Sequence, residues 1–144
     1  MIAKIIFAFC LVAGTVAIHA TGLTILLGSL MRSVSKYTDA RLRRITWRII
    51  LFAWWLIVIH MIEIAVWGLF YWWRDCLPDA ASALYFSGVT YTTVGYGDLV
   101  LPMEWRLFGP IEGLTGILMC GLSTASFFAV VSRLYKERIM AAED

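Results

Sequence analysis

Three stretches of this chain, residues 2–31, 45–73 and 105–134, are each apolar for longer than the roughly 20 residues that carry a helix across a hydrocarbon core. A chain with three such stretches folds as an all-α membrane protein. Its composition agrees, because 61% of the 144 residues are hydrophobic and seven are tryptophan, far from the soluble average. Between the second and third stretches lies a piece of about a dozen residues, 79–90, too short to cross. We read it as a re-entrant helix, started by Pro78 and by Asp79, whose carboxylate can accept from the first free amides.

The basic residues set the expected orientation. Arg32, Lys36, Arg41, Arg43, Arg44 and Arg48 crowd the first connection, and Arg133, Lys136 and Arg138 follow the last span. The positive-inside rule places both in the cytoplasm, leaving only Lys4, Arg74 and Arg106 outside. The N-terminus is then external and the C-terminus cytoplasmic. Lys4 ahead of an apolar run resembles a signal peptide, but the run continues past the only small-residue cleavage point, near Ala20. Trp47 at the inner boundary and Tyr71, Trp72, Trp73 and Trp105 at the outer one read as aromatic belts. Cys10 and Cys120 fall inside spans, and Cys76 is the one cysteine expected to be open to oxidant. No Cys/His pair has metal-ligand spacing.

The irregular stretch is TTVGYGD, Thr92 to Asp98. Non-helical backbone at membrane depth is tolerated only where protein buries it or where it lines a water-filled path. Gly95 and Gly97 accept positive φ without steric cost, so successive peptide units can alternate in handedness. Carbonyls of Thr93, Val94, Gly95 and Tyr96 can then all face one axis, closed below by the Thr93 hydroxyl. Such a column replaces the water shell of a monovalent cation.

Thr93-Val94-Gly95-Tyr96-Gly97 followed by Asp98 resembles the signature of the tetrameric potassium channel family. The order of a span, a short helix, the filter and a second span over residues 45–134 resembles that family too. The ion's identity, K+ held at Thr93, Val94, Gly95 and Tyr96, comes from this resemblance and not from spacing. The resemblance implies a passive, potassium-selective pore in a plasma membrane, that of a bacterium given the chain's small size. It implies no enzyme activity, no organic cofactor and no nucleic acid. One filter per chain and no internal repeat imply a homotetramer. Thr92 and Asp98 flank the filter, and Tyr85 and Phe86 stand where relatives often carry two tryptophans. Val89 stands where some relatives carry a glutamate that holds the Asp98 side of the filter. The expected division is a peripheral helix at 1–31, a basic connection at 32–44, a pore domain at 45–134 and a tail at 135–144. Within the pore domain the outer helix takes 45–73, the pore helix 79–90, the filter 92–98 and the inner helix 105–134.

In the inner helix Ile117, Cys120, Gly121, Thr124 and Phe128 share one side and are the expected pore lining, with Phe128 as a constriction. The family's hinge glycine falls at Gly116. On the first helix Gly14, Ala17, Thr21, Thr24 and Gly28 form a stripe of small residues, expected to pack on the second helix of its own or a neighbouring subunit. Arg41, Arg44 and Arg48 are expected to touch anionic lipid rather than sense voltage.

His60, Glu63 and Glu112 are ionisable residues inside spans and form an expected titratable cluster. His60 and Glu63 share a face. Glu112 points away from the pore-lining stripe, toward the outer helix or a pore-helix hydroxyl such as Thr90. Coupling among these groups would make flux depend on pH between about 5 and 8. His19 projects opposite the small-residue stripe and is a marginal member. Two other readings compete: a weakly selective monovalent cation pore, and a membrane enzyme or non-conducting assembly subunit. The intact pentapeptide argues against the first. Only the intramembrane acids and His60 favour the second, with no nucleophile beside them.

Overall fold

A computed structural model describes residues 2–34 and 42–140, with side chains from 2–29 and 46–136. Among the described residues there are four helices and no strand: α1 (Ile2–Val34), α2 (Leu42–Trp73), α3 (Ala80–Tyr91) and α4 (Phe108–Met140). Three are long and apolar enough to cross a membrane, over Ile2–Ser29, Thr46–Trp73 and Phe108–Lys136. The chain is thus an all-helical, multi-pass membrane protein. The whole basic connection at 32–44 and the end of the tail, Arg138 included, fall outside the residues with described side chains.

The short helix α3 starts where its sequence says. Asp79 is its N-cap, in extended conformation, accepting the Ser82 amide at 2.8 Å and the Ser82 hydroxyl at 2.9 Å. Those two bonds favour the charged carboxylate and hold its pKa below the usual range. α4 begins three residues later than expected, because residues 103–107 form turns and Pro110 sits in its first turn, where a missing amide costs nothing.

α3 lies against α2 and α4, and α1 also packs on α2 and α4. Two apolar cores hold these contacts. One gathers Ala8, Trp67, Phe70, Tyr71, Cys76, Leu101, Trp105 and Phe108 at the end where α1 begins. The other joins Leu23, Phe52, Leu56, Val130 and Leu134 at the opposite end. Above the first core Lys4 pairs with Glu104 at 3.0 Å, and the Arg74 guanidinium covers the Trp105 ring at 5.1 Å.

Three expectations change here. The small-residue stripe of α1 does not pack on α2 of its own chain, the first of its two expected partners: Ala17, Thr21 and Thr24 are exposed on the protomer, while Ala8, Thr15, His19 and Leu23 are buried. Thr15 and His19 need polar partners away from lipid, and α2 supplies them. Trp67 Nε1 donates to Thr15 Oγ1 at 2.9 Å, and Glu63 meets His19. Satisfying polar groups outweighs the fit of small side chains. Tyr71 and Trp105 are fully or nearly fully buried in the first core rather than standing in a belt, whereas Trp47, Trp72 and Trp73 are exposed. Cys76 is buried in the same core, so it does not present its thiol to oxidant.

Candidate functional site

The loop after α3 carries the least regular backbone among the described residues. Thr93, Gly95 and Gly97 all have positive φ, 62°, 56° and 76°, so every second residue of the loop is left-handed. The two glycines accept this freely, but Thr93 is β-branched, and such a residue in that region costs about 1–3 kcal/mol. The helix end holds it there. The amides of Thr92 and Thr93 donate to the carbonyls of Gly88 and Thr90 at 3.2 and 2.9 Å. Those of Val94 and Gly95 both donate to the Val89 carbonyl, at 3.0 and 3.2 Å. Val89 therefore supports the loop through its backbone, having no carboxylate to offer Asp98. Tyr85 takes that part, its hydroxyl donating to Asp98 Oδ2 at 2.8 Å. The bond to a carboxylate raises the phenol's pKa. Behind the loop a cavity of about 120 Å³ is lined by Tyr85, Phe86, Val89, Gly97 and Asp98, among others. Val94 and Tyr96 project from the protomer, exposed.

On α4 the residues expected to line a pore, Ile117, Cys120, Thr124 and Phe128, are all exposed on the protomer, whereas Phe127 packs on Phe52 with ring centroids 6.2 Å apart. Gly116 is buried where α4 crosses the end of α3. A Cβ there would collide with the Tyr91 carbonyl oxygen, and would lie 2.9 Å from its carbon and 3.2 Å from Tyr91 Cγ. The glycine is thus required by close approach, whatever bending α4 undergoes.

The expected titratable cluster is two separate networks, each ending on α3. In the first, Glu112 is fully buried and accepts from Tyr71 of α2 at 2.7 Å and from Ser87 of α3 at 2.5 Å. Ser87 Oγ also lies 2.8 Å from the Ile64 carbonyl. Glu112 thus turns toward the outer helix and a pore-helix hydroxyl, as its angular position on α4 predicts, but the hydroxyl is Ser87 and not Thr90. The second network sits between the two apolar cores. His19 Nδ1 is 2.9 Å from Glu63 Oε1, and His60 Nδ1 is 3.2 Å from Glu63 Oε2. The Tyr91 hydroxyl donates to Glu63 Oε2 and lies 2.9 Å from His60 Nδ1. Ser123 Oγ is 3.0 Å from His60 Nε2 and 3.3 Å from His19 Nε2. His19, far from marginal, is completely buried at its centre. The missed signal was Thr15 and His19 at i, i+4 on one helix matching Glu63 and Trp67 at i, i+4 on the next.

A re-entrant helix and a left-handed loop, braced between two membrane-spanning helices, define a pore-forming class of membrane protein. The sequence model of the family described as Ion channel matches residues 49–133, well over half the chain, and the chain belongs to that family. Comparison with curated proteins and with solved structures returned no match. Helix α1, and His19 with it, lies outside the matched stretch.

Proposed function

We propose that this ion channel is potassium-selective, a homotetramer whose four Thr93–Gly97 loops form one filter of backbone carbonyls in a plasma membrane. The observation that carries the reading is the alternation of left-handed residues at 93, 95 and 97 in a TVGYG loop. That alternation is the conformation needed to turn successive carbonyls toward one axis. Two further features support it. The C-terminal end of α3, negative by its dipole, leads directly into the loop and favours a cation there. The wide exposed face of α4 bearing Ile117, Thr124 and Phe128 leaves room for other copies around an axis.

In this reading ions shed water at Tyr96 and Gly95, pass Val94 and Thr93, and reach a cavity bounded by α4. Tyr85 and Asp98 keep the outer end of the loop in place. The termini lie as the basic residues dictate, N-terminus outside and C-terminus in the cytoplasm, with Arg48 and its neighbours near anionic lipid.

The test is purified protein in liposomes with a potassium-to-sodium gradient. A reversal potential near the potassium equilibrium value is expected, and Gly97→Ala should abolish or sharply reduce the flux while leaving tetramers assembled. A reversal potential near zero would assign a weakly selective pore. Wild-type flux in Gly97→Ala would remove the filter assignment.

A further inference from the structure

We propose that His19, His60 and Glu63 form a binding site for one divalent transition-metal cation of the Zn2+ class, joining α1 to α2 beside the pore helix. The site is independent of which ion the pore conducts.

The donor set is the first argument. Two imidazoles and a carboxylate bring one ligand atom each to within 4.8 Å of one another, in the protein interior. Two His and one Glu are a common zinc set, with a fourth position left for water or substrate. Tetrahedral ligands about 2.0–2.1 Å from Zn2+ stand about 3.4 Å apart. Glu63 reaches the two imidazoles with different oxygens, Oε1 to His19 Nδ1 at 2.9 Å and Oε2 to His60 Nδ1 at 3.2 Å, both close to that spacing.

The second argument is a proton count. The side chains close a ring of five contacts, His19 to Glu63, Glu63 to Tyr91, Tyr91 to His60, His60 to Ser123 and Ser123 to His19, crossed by a longer sixth between His60 and Glu63 that shares the His60 Nδ1. Each ring contact needs one hydrogen. Two neutral imidazoles, a phenol and a hydroxyl bring four, and a carboxylate brings none. With Glu63 ionised the ring is one hydrogen short, and it carries a net negative charge at membrane depth, where that is expensive. Either a proton or a metal cation can supply that charge, and the two imidazole nitrogens beside the carboxylate suit a metal. A metal meets the need when both Nδ1 lone pairs point inward and both Nε2–H groups point at Ser123 Oγ, whose two lone pairs can accept them. That is the arrangement by which metal-bound histidines are oriented elsewhere, through a partner on the other ring nitrogen. Tyr91 holds Glu63 Oε2 in the same way. A hydroxide in the fourth position balances the charge of Zn2+ against Glu63.

Placement is the third argument. His60 is partly exposed on the protomer, whereas His19 and Glu63 are completely buried. Sequence spacing hid the site because its ligands come from helices 41 and 44 residues apart in the chain, one of them outside the matched family region.

The experiment uses untagged full-length protein in detergent, stripped with a chelator and then equilibrated with Zn2+ or Co2+ alone. One metal per chain is expected, and the Co2+ form should show the intense visible absorption of a four-coordinate N/O site. His19→Gln should weaken binding by about 100-fold or more, and Ser123→Ala by about 10- to 100-fold. Substoichiometric metal, a weak six-coordinate Co2+ spectrum, or unchanged affinity in either variant would each overturn the proposal. Should His19→Gln fail to fold, the wild-type spectrum and Ser123→Ala still decide. A network held by a proton alone would bind no metal at all.

Discussion

Gly116→Ala sets two physical effects of opposite sign against each other. In an unobstructed helix the change stabilises, because alanine is better than glycine in a helix interior by about 0.8–1.0 kcal/mol. At this position the new methyl group meets the Tyr91 carbonyl and lies 2.9 Å from its carbon, atoms of backbone that cannot rotate away. Overpacking of this kind costs about 1–3 kcal/mol, and the upper part of that range applies where the neighbour is main chain. The net expectation is a loss of about 1–2 kcal/mol per chain. Gly121, on the same helix, is the control, since a Cβ there meets nothing within 4 Å in the protomer and Gly121→Ala should be neutral or stabilising. Thermal unfolding followed by tryptophan fluorescence measures both. Flux should fall as well in Gly116→Ala, because Tyr91 is two residues ahead of the strained Thr93. Gly116→Ala that unfolds at or above the wild-type temperature with unchanged flux would refute the close-approach argument.

Three further changes test the bracing of the loop and the inner face. Tyr85→Phe removes the only described side-chain bond to Asp98, and sustained flux should decay faster after channel opening than in the wild type; identical time courses would show that Asp98 needs no such support. Ser87→Ala leaves Glu112 with one partner fewer and should cost about 1–3 kcal/mol, read as a lower unfolding temperature. Phe128→Ala should widen the inner mouth and raise flux, and unchanged current together with unchanged access of cytoplasmic blockers would take Phe128 out of the constriction.

What the sequence revealed and what it concealed divide along a physical line. The cap at Asp79, the start of α3 and the left-handed positions Gly95 and Gly97 were legible, because each depends on residues within a few positions of itself. The rotation of α1 was not. The choice between the two faces of α1 turned on partners 44 and 52 residues away, Glu63 for His19 and Trp67 for Thr15. A stripe of small residues is a permissive feature, while a buried histidine is a demanding one, and the demanding one set the packing. Tyr71 and Trp105 were misplaced for a related reason: position near a membrane boundary suits an aromatic residue, but Glu112 and the cation–π stack of Arg74 recruit these two inward. Thr93 is left-handed against its own preference, and only the hydrogen bonds of the preceding helix end show why.

The exposed tryptophans nearest the two ends of α2 work as a ruler. Trp47 and Trp73 are separated by 26 residues, about 39 Å at 1.5 Å per residue, which approaches the thickness of a bilayer with its headgroup layers included. His60 is thirteen residues from each, so the His19–His60–Glu63 group sits at half depth. A charge moved there from either side crosses about half of the transmembrane field. For a divalent cation that work is about 2.3 kcal/mol per 100 mV, a change of roughly 50-fold in occupancy. Occupancy of the proposed cation site is therefore expected to follow the membrane potential, through the depth of the site alone.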